Sequence, residues 1–341
     1  MKVLVYFQPK NAAKENFEGN RLALTLSGAL ETLHIKHTSK LVDDYDVAHF
    51  IAPDDENKVN VAIEKGVPVI VSAMYCEDDP YASFVEYKSK DGIRSFSLKP
   101  KASKLLSKAT LVLVPTQEAA DFLKNNGVQT PIKVIMPGVD MNRFDFSRDD
   151  EKDLFYRYFT EDRNKKLVVA LGEYTNNMDG INAFLVAGKK NPNVAFYYFG
   201  DMPRHLPHHL KHIIKTAPKN VHFSSLVPDD IYRSALLNAD IFMFPGYHNI
   251  GLMSAIEAMA ARCQLVVRHT ENLTSDLFRN EENAYLAEFS ETLTSLATDC
   301  LEGKIPSTIE KAYEEMKDNN YPSFAKKLKS IYQEEINKKK A

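Results

Sequence analysis

The stretch DIFMFPGYHNIGLMSAIEAMAARCQLVVRH, residues 240–269, contains an apolar run, a turn with glycines, a segment with helical spacing and a second apolar run. Short apolar runs bounded by turn residues are typical of buried strands. The stretch therefore predicts a strand, a helix and a strand in succession, which is the unit that builds a parallel sheet. The predicted helix carries a single carboxylate, Glu257, on an otherwise apolar face. A carboxylate in such a position requires a polar partner.

The same alternation recurs along the whole chain. Strand-like runs in the first half are KVLVYF (2–7), DVAHFI (46–51), VPVIVSA (67–73), TLVLVPT (110–116) and IKVIMPG (132–138). Helical spacing occupies residues 21–33, 58–65, 99–108 and 117–125. After a break the pattern restarts with KLVVALG (166–172), VAFYYFG (194–200), NVHFSS (220–225), DIFMFPG (240–246) and QLVVRH (264–269). The pattern predicts an α/β protein with two doubly wound, Rossmann-like domains.

The breaks in the pattern set the expected domain limits. Residues 1–145 form one domain, and 166–306 form the second. The charged segment 146–165 is a linker with a short helix, and 307–341 is a charged helical tail, broken at Tyr321–Pro322, that returns to the first domain. In doubly wound sheets ligands bind beyond the carboxyl ends of the strands. We expect two such sets of strand ends to face each other across a cleft.

Composition narrows the class of protein. The chain has 341 residues, 44% of them hydrophobic and 26% charged, which is ordinary for a globular protein. A net charge of -3 argues against a general nucleic-acid binder. Its apolar runs are all far shorter than the roughly 20 residues of a membrane span. Three widely spaced cysteines indicate reduced thiols in the cytoplasm, and no metal site is expected.

Three motifs stand in a characteristic order: VIMPGVDMNRF (134–144), ALGEYTNNMDGINAFL (170–185) and the opening stretch, preceded by VPDDIYRSALLNAD. In this arrangement the chain resembles the retaining glycosyltransferases of family four, which have the GT-B fold. Within that family it is similar to bacterial enzymes that add a hexose to a glycosylated diacylglycerol. The resemblance covers about residues 2–288.

The resemblance implies a hexosyltransferase that takes its sugar from a UDP-sugar, without a resident cofactor, and gives it to a membrane glycolipid or related glycan. A second hypothesis is a catalytically inactive relative that acts as scaffold, regulator or partner subunit of an active glycosyltransferase. The reason for this alternative is that several positions of the family's active site carry other residues here, so the catalytic residues stay unassigned. A glycolipid acceptor implies a cytoplasmic protein at the inner face of the membrane.

The resemblance also implies roles for residues of the opening stretch. In the family, two glutamates eight positions apart flank the turn before the helix, and the second holds the ribose. The second position is Glu257 here, and the first is Asn249, whose amide can still hydrogen-bond a hexose hydroxyl. The backbone amides of Ile250, Gly251 and Leu252 are candidates to hold a phosphate.

Four departures from the family pattern follow. Glu173, after Gly172, and Asp179 stand where the family has an arginine and a lysine, so two cations have become two anions. Ser72 and Met74 stand where a histidine is expected. The amino-terminal loop ENFEGNR (15–21) keeps one glycine and Arg21 but has Glu18 where a second glycine fits. Asn249 is the fourth. Four other basic residues are candidates to supply the positive charge that is missing at the family positions: Arg21, Lys189, Lys190 and Arg204.

The remaining candidates have both a functional and a plain structural interpretation. Gly200 and His49 lie at strand ends, where ligands bind, although a histidine there is often packed and hydrogen-bonded. HLPHHLKH (205–212) has two histidines, His208 and His212, one helical turn apart, a spacing that can bind a metal, but with no carboxylate or cysteine to complete a site a surface helix is the simpler interpretation. The segment 88–108 has seven basic residues and one acidic, interleaved with apolar residues. It is either a membrane-facing segment or a solvated helix that packs on the sheet.

Overall fold

The structure is a computed structural model that describes residues 1–8, 18–74, 82–85, 95–98, 102–145, 149–172, 174, 178–246, 252–269 and 277–340. The chain divides into two compact units. Unit 1 comprises Met1–Asp140, Glu271–Leu277 and Asp318–Ala341, and unit 2 comprises Met141–Thr270 and Phe278–Lys317.

Unit 1 is built on a parallel sheet of six strands in the order β2-β1-β3-β4-β7-β8. The strands are β1 (Lys2–Tyr6), β2 (Lys36–Thr38), β3 (Val47–Ile51), β4 (Val69–Ser72), β7 (Leu111–Val114) and β8 (Ile132–Val134), and the antiparallel pair β5 (Ala82–Val85) and β6 (Ser95–Leu98) is separate. The central strands β3, β4 and β7 are buried along their whole length, as expected for strands covered on both faces.

Four helices follow the strands of unit 1: α1 (Glu18–Thr32), α2 (Glu56–Glu64), α3 (Ala102–Leu106) and α4 (Gln117–Asn125). Asp55 and Thr116 cap α2 and α4 by accepting a hydrogen bond from the backbone N–H of Asn57 and Ala119. These helices fall where the apolar spacing predicts them, except that α3 is shorter than the segment 99–108.

Unit 2 has a second parallel sheet of six strands, in the order β11-β10-β9-β12-β13-β14. Its strands are β9 (Leu167–Leu171), β10 (Ala195–Gly200), β11 (Val221–Ser225), β12 (Ile241–Phe244), β13 (Gln264–Arg268) and β14 (Tyr285–Ala287). The 3-10 helix Met141–Phe144 comes first, followed by α5 (Asp149–Lys152), α6 (Leu154–Phe159), α7 (Met178–Lys190), α8 (His208–Thr216), α9 (Asp229–Asn238), α10 (Leu252–Ala260), α11 (Ser290–Leu301) and α12 (Ile309–Asp318). The prediction of two doubly wound α/β units is therefore confirmed.

The chain returns to unit 1 through its last helix, α13 (Tyr321–Lys340), which packs against α1 and β3. The predicted break at Tyr321–Pro322 is misplaced: α12 ends at Asp318, and Pro322 stands in the first turn of α13. Proline is well tolerated there, because the N–H groups of a first helical turn have no partner within the helix.

Candidate functional site in the second unit

The sheet of unit 2 has a topological switch point between β9 and β12. From β9 the chain moves outward to β10 and β11, and then β12 pairs with the other side of β9. The helices α7 and α10 begin beyond the carboxyl ends of these two neighbouring strands. Crevices at such points are where doubly wound sheets bind their ligands. Gly172, at the end of β9, and Leu252, at the start of α10, flank this position.

Glu257 lies in α10, all of whose residues are buried. Its side chain is only 5% exposed. The helix has no acidic residue in its first turn, so its amino-terminal N–H groups and its dipole favour an anion at the carboxyl edge of the sheet. A buried carboxylate and an anion-attracting helix start thus belong to one short helix at the switch point.

The carboxyl ends of β9 and β10 approach each other closely at two glycines. The amide of Gly172 donates to the carbonyl of Phe199 at 3.0 Å. A Cβ atom on Gly200 would lie 2.0 Å from the carbonyl oxygen of Gly172 and 2.9 Å from the ring of Tyr174. Only a residue without a side chain fits at position 200, so Gly200 shapes this edge through its backbone.

Tyr174 closes the same edge, and sequence reasoning did not single it out. Its ring is buried, and its hydroxyl is shared between the carbonyl oxygens of Tyr198 at 3.0 Å and Ser224 at 2.9 Å. Burial raises the pKa of the hydroxyl well above its ordinary value, so it stays a donor. Its partners are 24 and 50 residues away in sequence, which no local pattern reveals.

Arg268, at the end of β13, is a second residue that the sequence did not reveal. It is 1% exposed, and its guanidinium donates to the Pro245 carbonyl at 3.3 Å, the Glu288 carbonyl at 3.0 Å and the Ser290 hydroxyl at 2.8 Å. These partners lie where the chain leaves β12, leaves β14 and enters α11. A buried arginine thus ties together three segments at the carboxyl edge.

Several predicted site residues lie outside the described part of the chain. Glu173, Asn249, Ile250 and Gly251 are among these, and the roles given to them stay predictions. Asp179 belongs to the first turn of α7, but its side chain is not described.

The four candidate replacement cations occupy different places. Lys189 and Lys190 are exposed in the last turn of α7, and α7 runs away from the carboxyl edge of the sheet, so both lie toward the opposite edge. Arg204 is exposed four residues after β10, beyond the carboxyl end of that strand. Of the three candidates in unit 2, Arg204 is the one at the correct edge.

Arg21 belongs to unit 1, where the predicted loop 15–21 is partly helical. Helix α1 begins at Glu18, and Arg21 is 3% exposed in its first turn. A Cβ atom on Gly19 would lie 2.1 Å from the ring of Phe7. The glycine therefore allows the helix to pack closely on Phe7, the residue that follows β1, and the phosphate contact that the resemblance implies for this loop stays a prediction.

His49 is a packed residue of the sheet of unit 1. It is 0% exposed, its Nδ1 lies 2.7 Å from the hydroxyl of Tyr332 and its Nε2 lies 2.6 Å from the hydroxyl of Ser72. Burial lowers its pKa to about 3. With both ring nitrogens bonded inside the fold, His49 matches the packed, hydrogen-bonded interpretation, and its substrate-binding role stays an untested prediction.

The basic segment 88–108 is described in part. Leu105 and Leu106 are buried, and the ammonium groups of Lys104 and Lys108 lie 3.4 Å and 2.9 Å from the carboxylate of Glu56. This part of the segment behaves as a helix that packs on the sheet, with its cations already paired.

Among the described residues, no group of three or more histidine, cysteine, aspartate or glutamate side chains is arranged to hold a metal ion. Within that same part of the chain, none of the helices is both long and apolar enough to span a membrane.

Comparison with known proteins agrees with this geometry. Residues 165–302 match the family described as glycosyl transferases group 1. The chain is 26% identical over 338 residues to a processive diacylglycerol alpha-glucosyltransferase of Acholeplasma laidlawii, covering 98% of this chain and 99% of that protein. It is 27% identical over 110 residues to an alpha-galactosylglucosyldiacylglycerol synthase of Streptococcus pneumoniae, covering 31% of this chain and 29% of that protein.

Among solved structures, Alr3699/HepE of Anabaena in complex with UDP and glucose has a TM-score of 0.71 at 14% identity, covering 98% of this chain and 100% of that one. At such an identity the likeness shows the fold alone, which is GT-B. Fold, family match and nearly full-length relative together define a glycosyltransferase. More particularly, residues 165–302 are similar to the glycosyl transferases group 1, and the chain over nearly its whole length is similar to an enzyme that glycosylates diacylglycerol.

Proposed function

We propose that the protein transfers a hexose from a UDP-sugar to a membrane glycolipid or a related glycan. The relatives support this substrate class, because both are named for the glycosylation of diacylglycerol lipids. The solved structure with UDP and glucose supports a nucleotide-sugar donor. Both named relatives are enzymes, whereas the inactive, partner-subunit alternative rests on the four departures from the family pattern alone.

The observation that carries the proposal is Glu257, a buried carboxylate on a helix that starts at the switch point of the sheet. The two oxygens of a carboxylate accept hydrogen bonds from the two hydroxyls of a ribose. The amino terminus of α10 provides N–H groups for the diphosphate, which gains charge as the glycosidic bond breaks. In this arrangement Asn249 hydrogen-bonds the hexose, and the amides of Ile250, Gly251 and Leu252 hold phosphate.

The charge on the departing diphosphate also needs a cation. Arg204 is the candidate, since it is exposed beyond the carboxyl end of β10. Arg268 adds a second, buried positive charge near the point where the chain leaves β12. Together they offset the repulsion from Glu173 and Asp179, which is about 1–4 kcal/mol for a pair of like charges 4 Å apart. The protein works at the inner, cytoplasmic face of the membrane, where its lipid acceptor lies.

Calorimetric titration with UDP tests the donor site. We expect Glu257→Gln to weaken UDP binding about 10- to 150-fold, since a hydrogen bond to a charged group contributes about 1.5–3 kcal/mol. Glu335→Gln is the matched control, because Glu335 is equally buried, at 5% exposure, but lies on α13 of unit 1. Equal UDP affinity of Glu257→Gln and the wild type would contradict the ribose role.

A transfer assay tests the reaction itself. The protein is incubated with labelled UDP-glucose or UDP-galactose and with diacylglycerol or glucosyl-diacylglycerol in detergent micelles. We expect labelled glycolipid from the wild type and a large loss of product from Glu257→Gln. If UDP binds but no donor and acceptor pair gives product, the transfer proposal fails and the partner-subunit alternative replaces it.

A further inference from the structure

A surface of unit 2 other than the proposed donor site is formed by a stretch of the chain without acidic residues. Residues 202–228 contain no aspartate or glutamate, although the whole chain has a net charge of -3. They contain one arginine, three lysines and five histidines: Arg204, Lys211, Lys215, Lys219, His205, His208, His209, His212 and His222. The proposed donor chemistry uses only Arg204 of this set.

The structure gathers most of these residues on one side of α8. Lys211, His212 and Lys215 are exposed, as are His208 and His209. The positions 208, 211, 212 and 215 follow the helical spacing of a single stripe. Leu210, on the opposite side, is completely buried in the core of unit 2. The outward side of α8 therefore presents ammonium and imidazole groups, with the small hydroxyl of Thr216 at its end, and we call it the α8 basic face.

The described residues of the protein do not neutralise the α8 basic face. Within the described part of the chain, no carboxylate lies within salt-bridge distance, 4.0 Å, of the nitrogens of Lys211, Lys215 or any histidine of the face. Lys104 and Lys108 of unit 1 differ, because both pair with Glu56. The cations of α8 are thus available to an external partner.

The basic residues at the start of α8 also lower the stability of that helix. Basic groups in a first turn meet the positive end of the helix dipole, whereas acidic groups there are favourable. The next helix, α9, follows the favourable rule with Asp229 and Asp230 in its first turn. Helix α8 has no acid in its first turn and carries the ammonium group of Lys211 there. A sequence that departs from a local rule in this way usually does so for function.

We propose that the α8 basic face binds the anionic headgroups of a lipid bilayer and holds unit 2 against the membrane. The inference rests on the proposed function, since a glycolipid acceptor requires the enzyme to work at a bilayer. A helix of nine residues is about 13 Å long, which suits a few neighbouring headgroups. Ammonium groups attract lipid phosphates, and the imidazoles add N–H donors for the phosphate oxygens.

Vesicle co-sedimentation tests the proposal with the full chain. The vesicles contain phosphatidylcholine alone or phosphatidylcholine with phosphatidylglycerol. We expect binding to the anionic vesicles only, and Lys211→Gln/Lys215→Gln should weaken it about 25-fold, at about fivefold for each lysine near the surface. His208→Gln/His212→Gln should weaken it further when combined with the lysine pair.

Lys189→Gln/Lys190→Gln is the matched control, because it removes two exposed lysines from another helix of the same unit. Equal losses from the two lysine pairs would overturn the proposal, since they would indicate attraction by total charge alone. Displacement of the vesicles by a single-stranded DNA oligonucleotide that binds α8 more tightly would overturn it as well.

UDP titration of the same variants separates the two proposals. We expect Lys211→Gln/Lys215→Gln to bind UDP as the wild type does and to transfer sugar normally to acceptor in detergent micelles. Failure of UDP binding by the wild type would refute the proposed function while vesicle binding still tests α8. Loss of UDP binding in the lysine variant alone would overturn the membrane role, because these lysines would then belong to the donor site.

Discussion

Replacing Gly200 with alanine perturbs the carboxyl edge of unit 2 at its tightest point. The new Cβ would lie 2.0 Å from the carbonyl oxygen of Gly172. Non-bonded atoms pack best at about 3.5–4.0 Å, so the ends of β9 and β10 have to separate by more than about 1 Å. The 3.0 Å hydrogen bond from the Gly172 amide to the Phe199 carbonyl lies directly in that gap. Alanine at position 200 therefore either clashes with the Gly172 carbonyl or breaks the pairing of the ends of β9 and β10.

The expected cost follows from these two effects. Overpacking a filled site costs about 1–3 kcal/mol, and losing one backbone hydrogen bond costs about 0.5–1.5 kcal/mol. We therefore expect Gly200→Ala to lower the free energy of unfolding by about 2–4 kcal/mol. For a unit of this size each kcal/mol lowers the Tm by about 2–4 °C, so the Tm should fall by about 5–15 °C. UDP binding should weaken too, because Gly172 moves with the strand end.

Urea denaturation and calorimetric UDP titration measure the two effects, with Gly303→Ala as the comparison. Gly303 has a φ of +68°, and a Cβ atom added to it would meet no other atom within 4 Å, so alanine there strains only the backbone. We expect Gly303→Ala to lose about 1–2 kcal/mol of stability and no UDP affinity. If Gly200→Ala were within about 0.5 kcal/mol of the wild type, a change typical of neutral surface positions, the close approach would be refuted.

Two further predictions concern buried residues. Because burial lowers the pKa of His49 to about 3, the stability it contributes is present above about pH 6.5 and is lost as the pH falls toward 3. Between pH 6.5 and 5, the free energy of unfolding measured by urea denaturation should fall by about 2 kcal/mol more in the wild type than in His49→Gln. An equal fall in both proteins would contradict the burial argument. Arg268→Gln should lower the free energy of unfolding by about 1–3 kcal/mol for each acceptor left unpaired, whereas Arg262→Gln, which removes a surface pair with Glu310, should cost at most about 1 kcal/mol. Similar costs for the two arginines would argue against Arg268 as the tie between the three segments.

Strand positions were the most predictable part of the fold. Central strands such as Val47–Ile51 and Leu167–Leu171 are continuous apolar runs, because parallel strands are buried on both faces. The edge strands Lys36–Thr38 and Tyr285–Ala287 were missed, since three residues with mixed burial leave no apolar run. Short strands of this kind are recognisable only through the neighbour with which they pair.

A residue of the candidate site could be predicted from the sequence where its role depends on a single continuous segment. Glu257 could be singled out because it is a lone carboxylate within an apolar helical pattern, and the structure buries that helix completely. Tyr174 and Arg268 could not be singled out, because their roles depend on strand ends that are distant in sequence. His49 illustrates the same limit, since Tyr332 is 283 residues away.

The return of α13 to unit 1 has a consequence for the order in which the protein matures. Domains usually fold as the ribosome releases them, with the amino-terminal domain first. Here β3 and α1 receive their covering helix only after all of unit 2 has been synthesised. The hydrogen bond between the Nδ1 atom of His49 and the hydroxyl of Tyr332 likewise forms only after Tyr332 has been synthesised. The unit that is translated first is therefore completed last, and the nascent chain must carry an uncovered face of unit 1 until translation reaches α13.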